Sequence, residues 1–168
     1  MSPDRNPVRA GLVELLPRLR RFARSLTRHP HDADDLVQIA VERALVKSAQ
    51  WQPGSRLDSW MFGIVRNAWI DEFRSRKRRS ELFAPESAGL SVGSPGAGTE
   101  VDVLSVQSAL ASLPEEQRTA VSLVLIEGLS YKEAADVMAV PIGTLTSRLA
   151  RGREALQAAL RTDGGSVQ

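Results

Sequence analysis

RLDSWMFGIVRNAWIDEFRSRKRR, residues 56–79, is the stretch on which the interpretation of the whole chain depends. On an α-helix, at about 100° per residue, its apolar side chains form one stripe. The stripe consists of Met61, Ile64, Val65 and Ala68, widened by Phe62, Trp69 and Phe73. A second face contains Trp60, Asn67, Asp71, Arg74 and Arg78. Besides the carboxylate of Asp71, this face presents an aromatic ring, an amide and two guanidinium groups. Such groups stack on unpaired bases and hold phosphates. A core helix with a solvated charged end explains this stretch equally well, so a second motif must decide.

Composition excludes several classes of function. The 168 residues allow one domain or two small ones, and cysteine is absent, which excludes disulfides, a thiol nucleophile and a Cys-based zinc site. The two histidines, His29 and His31, have no partners for a metal site. No apolar run approaches the ~20 residues of a membrane span. The N-terminus lacks the apolar core of a signal peptide. We therefore expect a cytoplasmic protein with no membrane insertion, metal or cofactor.

Positive charge is concentrated in the first half of the chain. Residues 1–80 carry 16 Lys and Arg against 9 Asp and Glu, and residues 81–104 carry 0 against 4. Residues 105–168 carry 6 against 7. This asymmetry indicates a polyanionic partner for the first half.

Two helices are predicted before the decisive stretch. Apolar residues recur at helical spacing from Val8 to Leu26, and Pro17 predicts a kink or restart among them. In the next helix Asp32 is the expected N-cap, with Asp34 and Asp35 in the first turn. Its core stripe is Leu36, Val37, Ala40, Ala44 and Leu45, and its polar face is Asp35, Gln38 and Glu42. Residue physics alone assigns that polar face to solvent.

Two loop segments divide the chain. Pro53-Gly54 marks a turn, after which Ser55 or Asp58 can cap the decisive helix, and Trp51 is either a lid on the core or a platform for a base. Residues 81–104 are rich in Gly, Ser, Pro and Ala, without periodicity or basic residues, which predicts a flexible linker. The expected fold is therefore all-α, with two small helical domains, 1–80 and 105–168, joined by this linker.

The second motif lies near the C-terminus. Val106, Leu110 and Leu113 predict a helix that stops near Pro114, and Val121, Leu125 and Leu129 predict a stripe that Gly128 ends. Ser130 to Glu133 has capping-box form, a break follows at 139–141, and a second helix is predicted over 142–160. Its buried stripe is Leu145, Leu149, Gly152, Leu156 and Leu160. Its outer face is Gly143, Thr146, Ser147, Ala150 and Arg151, flanked by Arg148 and Arg153. This pattern favours a DNA-binding helix-turn-helix over a purely structural αα-hairpin.

Four segments, in this order, carry a family resemblance. They are DADDLVQIAVERAL (32–45), WQPGSRLDSWMFGIVRNAWIDEFRSRKRR (51–79), LPEEQRTAVSLVLIEGLSYKEAADVM (113–138) and VPIGTLTSRLARGREAL (140–156). With them, the chain resembles a sigma-70-family factor of the extracytoplasmic-function (ECF, group IV) type. Such factors are promoter-recognition subunits of bacterial RNA polymerase.

The resemblance implies roles for particular residues. Binding to the clamp helices of the polymerase largest subunit falls to Asp35, Gln38 and Glu42, next to Ile39, where the family often has an acidic residue. Contacts to the −10 element fall to Trp51, Arg56, Trp60, Asn67, Arg74, Arg76, Lys77, Arg78 and Arg79. Contacts to the −35 element fall to Thr144, Thr146, Ser147, Arg148, Ala150 and Arg151. Many relatives have a basic residue where Thr146 stands, so weak isolated DNA binding is expected.

The implied function is promoter recognition and opening together with core polymerase, without catalysis, under the control of an anti-sigma factor. One alternative is a stand-alone helix-turn-helix regulator that binds duplex DNA without polymerase, and another is a module that binds only proteins. An enzyme is disfavoured, since Asp71 and Glu72 lie among arginines as solvated ion pairs would. The promoter sequence, the inducing signal, the arrangement of the two domains and the tryptophans that meet DNA stay open.

Overall fold

The computed structural model describes residues 6–76, residue 79 and residues 99–164. Those residues contain helices and loops but no strand, which confirms the predicted all-α class. The helices are α1 (Pro7–Thr27), α2 (Pro30–Val46), α3 (Leu57–Ala68), α4 (Thr99–Ala111), α5 (Glu115–Val121), α6 (Tyr131–Met138) and α7 (Ile142–Gly164). A 3-10 turn, Ser48–Gln50, follows α2, and π-helical turns extend α3 over Trp69–Phe73 and α5 over Ser122–Ile126.

The first helix continues through Pro17 as one element, so the predicted restart is wrong. The proline removes a hydrogen bond to the carbonyl of Val13. Val13 is 67% exposed and Pro17 is also exposed, so water can satisfy that carbonyl. The helix begins where the Asn6 side chain accepts a hydrogen bond from the Val8 N–H at 3.1 Å.

The second helix begins three residues earlier than predicted. Pro30 occupies its first position and His29 is the N-cap residue, without a side-chain cap bond, so the assignment of Asp32 as N-cap is wrong. A proline suits this position because its φ is already helical and its missing N–H is not needed there. Asp32 lies in the first turn instead, whereas Asp34 and Asp35 come after it.

Helix α3 has the predicted buried stripe, but it begins and ends differently from the prediction. Met61, Ile64, Val65 and Ala68 are buried, as are Phe62 and Trp69. Neither Ser55 nor Asp58 caps the helix, because Arg56 is the N-cap residue and makes no side-chain cap bond. The Ser55 hydroxyl donates instead to the Gln52 carbonyl at 2.6 Å, in the predicted turn, where Gly54 has a φ of 94°.

A π-helical turn also changes the register at the end of α5. The Glu127 N–H donates to the Ser122 carbonyl, five residues back, at 2.9 Å. This wider turn contains an extra residue, so Leu123 is buried while Leu125, predicted to be buried, is 47% exposed. Gly128 has a φ of 75°, which confirms the left-handed end predicted there. Pro114 precedes α5 as its N-cap residue rather than lying in the first turn.

The predicted helix-turn-helix is present. The Ser130 hydroxyl accepts from the Glu133 N–H at 3.1 Å and the Glu133 carboxylate accepts from the Ser130 N–H at 3.2 Å, which forms the capping box of α6. Ala139 ends α6 in the left-handed region with a φ of 54°. Helix α7 then runs beyond Leu160 to Gly164, with Leu145 and Leu149 buried. Gly152 allows α7 to approach α5, since a Cβ there would lie 2.7 Å from Cγ2 of Val121.

The described residues of the two halves, 6–79 and 99–164, pack against each other. Helix α3 contacts α6, and α1 contacts α5 and the π-helical turn that follows it. Their buried side chains belong to one hydrophobic cluster. Most of the predicted linker lies outside the described residues, but α4 begins at Thr99, inside the segment expected to be linker. The domain boundaries therefore stay a prediction.

Candidate nucleic-acid interface

The polar edge of α2 is a solvent-facing surface. Asp35, Gln38 and Glu42 are all exposed and follow one another at helical spacing. They line a shallow groove that also includes Trp69, Phe73 and Arg76 from the extended end of α3. Ile39 is half-buried and packs against the core, so it adds an apolar patch between the polar groups.

The loop before α3 carries an aromatic side chain and a guanidinium group. Trp51 is half-buried against the core, and its indole nitrogen has no acceptor among the described residues. Arg56 lies 2.6 Å from a carboxylate oxygen of Asp58. The hydrogen bond to Asp58 raises the pKa of Arg56, so the guanidinium stays charged. Burial opposes ionisation of Asp58, but hydrogen bonds from Arg56, the Ser59 N–H and Arg18 outweigh it, and the pKa of Asp58 is lowered.

The predicted nucleic-acid face of α3 is only partly brought together. Asn67 is exposed, whereas Trp60 is half-buried and packs against the core. Asp71 forms an ion pair with Arg43 at 2.9 Å. The π-helical turn inserts about one extra residue, so Arg74 is rotated by roughly 100° from its place on a straight α-helix. It lies 3.8 Å from a carboxylate oxygen of Glu115, in the other half of the chain.

The basic end of this segment is described in part. The Arg76 guanidinium lies 5.2 Å from the centre of the Phe73 ring, and its Nε donates to the Glu72 carbonyl at 2.9 Å. Arg79 is exposed. The other two predicted members, Lys77 and Arg78, lie outside the described residues. The exposed arginines leave this end available to a polyanion.

Helix α7 presents most of its predicted face to solvent. Thr146, Ser147, Ala150 and Arg151 are exposed. Thr144 is half-buried, and Arg148 forms an ion pair with Glu116 at 3.0 Å. The Thr146 hydroxyl donates to the Ile142 carbonyl at 2.8 Å. Small side chains next to an exposed arginine allow close approach to a DNA groove.

Sequence reasoning missed the polar residues that join the two halves. The Glu127 carboxylate, with a side chain only 1% exposed, accepts from Arg21 at 2.7 Å and from Arg18 at 3.1 Å. Arg118 is buried and donates from Nε to the Ser25 carbonyl and from a terminal nitrogen to the Leu113 carbonyl. A carboxylate at a helix C-terminus, where the dipole disfavours it, was the available signal for Glu127.

Two general properties complete the description of the surface. Within residues 6–76, 79 and 99–164, no helix is long and apolar enough to cross a membrane. The same ranges contain no group of three His, Asp or Glu side chains placed to hold a metal ion.

Both halves of the chain match known protein families in sequence. Residues 12–79 match the family described as Sigma-70 region 2, and residues 104–156 match Sigma-70, region 4. The chain is similar to the ECF RNA polymerase sigma factor EcfG of Rhodopseudomonas palustris, at 37% identity over 96% of this chain and 90% of the relative. It is also similar to the ECF RNA polymerase sigma factor SigF of Caulobacter vibrioides, at 32% identity over 98% of this chain and 92% of the relative.

Two solved structures resemble the fold over most of its length. The sigma factor RpoE from Bartonella quintana, in complex with the anti-sigma factor NepR, matches with a TM-score of 0.78 and 32% identity, over 92% of this chain and 97% of that one. CnrH, in complex with the cytosolic domain of CnrY, matches with a TM-score of 0.67 and 25% identity, over 93% of this chain and 88% of that one.

Proposed function

Because the chain belongs to the extracytoplasmic-function group of the sigma-70 family, we propose that it directs core RNA polymerase to particular promoters and helps to open their −10 region. The observation that carries the proposal is the order of its surfaces. A polar edge of α2, a basic extension of α3 and an outward helix-turn-helix occur in the sequence of the family's regions 2 and 4. The protein is a DNA-binding regulator of transcription initiation, and no step of the proposal requires catalysis by the chain itself.

Docking on polymerase is assigned to α2. Asp35, Gln38 and Glu42 are exposed. A helical partner such as the clamp helices of the largest subunit fits an exposed helix edge with both polar and apolar groups. Polymerase and promoters are in the cytoplasm, so we assign the protein to that compartment.

Opening of the −10 element is assigned to the loop at Trp51 and to α3. Asn67 supplies an exposed amide for a base edge, and Arg76 and Arg79 supply charge for the DNA backbone. Unpairing costs a few kcal/mol per base, and a base stacked on an aromatic ring recovers ~1–3 kcal/mol. Stacking thus offsets part of the melting, and contacts with core polymerase must provide the remainder.

Recognition of the −35 element is assigned to α7. Ser147 and Arg151 lie on the exposed face, and an arginine that binds a guanine edge in bidentate fashion discriminates by about 1–3 kcal/mol. The two halves then act on one DNA molecule, and linkage raises the effective concentration of the second site. A stand-alone regulator would leave residues 12–79, which match sigma-70 region 2, without a role.

Control by an anti-sigma factor is part of the proposal. A similar protein, the sigma factor RpoE from Bartonella quintana, was solved with the anti-sigma factor NepR bound. We assign the same class of partner to this chain, because the match to RpoE covers 92% of its length.

The test is reconstitution. The purified chain is mixed with bacterial core polymerase and a pool of promoter-region fragments, and run-off transcripts are sequenced to identify the promoter. Transcription that depends on both the chain and core supports the proposal. Tight duplex binding without core, with no gain when core is added, would instead identify a stand-alone regulator.

A further inference from the structure

Two arginines assigned to promoter DNA, Arg56 and Arg74, form ion pairs with carboxylates from the other half of the chain. A terminal nitrogen of Arg56 lies 2.9 Å from a carboxylate oxygen of Glu133. Arg74 Nε lies 3.8 Å from a carboxylate oxygen of Glu115. Both arginines belong to the segment proposed to hold the −10 element. The other two nitrogens of Arg56 donate to Asp58, so all three contact a carboxylate and a phosphate must displace one of them. Arg74 makes no hydrogen bond from its Nε to any described residue, but the charge of Glu115 lies where a phosphate would be attracted.

Hydrogen bonds hold the same two carboxylates in place. The Ser59 hydroxyl donates to Glu133 at 2.9 Å, and the indole N–H of Trp69 donates to Glu115 at 3.2 Å. Ser59 and Trp69 lie in α3 and its π-helical turn, the elements that carry the arginines. Each glutamate therefore docks on a small polar site of the N-terminal half rather than on a single side chain.

The surroundings of Arg74 form a cationic cluster that requires anions. Arg66 is half-buried, and burial, followed by the nearby charge of Arg74, lowers its pKa, whereas Glu115 and Glu116 raise it. Arg148 of α7 is held 3.0 Å from Glu116. Arginines from both proposed DNA-binding helices thus face the two glutamates at the start of α5. Carboxylates and phosphates satisfy guanidinium groups in the same way, through charge-assisted hydrogen bonds.

We propose that this structure is a self-inhibited form in which Glu115 and Glu133 stand in for promoter phosphates on Arg74 and Arg56. The inference rests on the proposed function, because promoter DNA is the ligand that the glutamates displace. Separation of the two halves takes Glu115 away from Arg74 and Glu133 away from one terminal nitrogen of Arg56, whose hydrogen bonds to Asp58 remain, while the capping box keeps α6 intact. Core polymerase and DNA must therefore replace the contacts between the halves before the −10 segment is available.

The test removes the two negative charges without removing the cap. The seam variant is Glu115→Gln with Glu133→Gln, because glutamine also serves in a capping box. The matched control is Asp136→Asn with Glu154→Gln, which makes the same change in net charge at exposed positions of α6 and α7. The wild-type chain has no cysteine, so cysteines introduced at the exposed positions Gln52 and Lys132 accept spin labels specifically.

Two measurements on the full chain decide the outcome. The first is the affinity for a fluorescein-labelled oligodeoxythymidine, without polymerase. The second is the distance between the spin labels. We expect the seam variant to bind about 2- to 30-fold more tightly than the control, as the loss of two partly exposed ion pairs implies, and to show longer and broader label distances. The control should match the wild type in distance.

Three results would overturn the inference. They are equal affinities of the seam and control variants, tighter binding without a change in distance, and a longer distance without tighter binding. Neither measurement uses polymerase, so a failure of the proposed function is seen separately, as absent promoter-directed transcription by the wild type.

Discussion

Replacement of Gly152 tests whether the close packing of α7 against α5 requires a residue without a Cβ at this position. A Cβ at this position would lie 2.7 Å from Cγ2 of Val121 and 3.1 Å from the Gln117 carbonyl oxygen. The valine methyl group can move only within a buried site, and the carbonyl belongs to the α5 backbone. Both contacts therefore predict overpacking when Gly152 is replaced by alanine.

The magnitude follows from two opposing effects. Overpacking of a core costs about 1–3 kcal/mol. Alanine in a helix interior is more favourable than glycine by about 1 kcal/mol. The difference is about 0–2 kcal/mol, so we expect Gly152→Ala to lower the free energy of unfolding by up to about 2 kcal/mol, measured by urea denaturation followed by circular dichroism.

Gly143, also in α7, is the matched control. A Cβ there would have no atom within 4 Å, so Gly143→Ala should leave stability unchanged or raise it by up to about 1 kcal/mol. Val121→Ala makes room for the new methyl group, so the double variant with Gly152→Ala should lose less than the sum of the two single losses. A Gly152→Ala protein as stable as the wild type, with additive behaviour in the double variant, would refute the packing explanation.

Three further predictions address the DNA contacts, the ion pairs between the two halves of the chain, and the effect of pH on stability. Asn67→Ala should impair −10 opening on a matched promoter, and Arg151→Ala should weaken −35 duplex binding by about 5- to 150-fold; unchanged transcription in both would show that these residues are wrongly assigned. Arg18→Met leaves the Glu127 carboxylate with Arg21 as its ion-pair partner. It should lower the free energy of unfolding, measured by urea denaturation, by about 1–3 kcal/mol, whereas Arg20→Met, at an exposed position, should leave it almost unchanged. The pKa of Glu133 is lowered from 4.5, chiefly by its hydrogen bond with Ser130, and the pKa of Asp58 is lowered from 3.8. The stability that these two carboxylates contribute is therefore complete above about pH 5 and is lost as the pH falls through their lowered pKa values. Glu133→Gln should make the free energy of unfolding depend less steeply on pH in this acid range.

Most buried positions of the helices could be predicted from sequence because burial follows helical periodicity, whereas Leu45 and Val106, predicted to be buried, are 36% and 39% exposed. Met61, Ile64, Val65 and Ala68 are buried as their spacing requires, and the capping box at Ser130 forms as its local pattern indicates. The order of the family segments was likewise readable, since each segment is contiguous in the chain.

The contacts that depend on distant residues could not be predicted. The π-helical turns at Trp69–Phe73 and Ser122–Ile126 change the register, and no local residue pattern predicts them. The prediction that Leu125 is buried is therefore wrong, and Arg74 is rotated away from the position that a straight α-helix gives it. The pairing of Arg18 with Glu127 joins residues 109 positions apart. Nothing in periodicity or composition relates such residues, which is why the packing of the two halves emerges only from the structure.

The central claim is that this chain opens promoter DNA only as part of RNA polymerase. Its most direct test is the permanganate reactivity of thymines in the −10 region of a promoter selected with the chain, measured with the chain alone, with core alone and with both. We predict reactive, unpaired thymines only when both are present. Equal reactivity with core alone, or none with the two together on any selected fragment, would contradict the account.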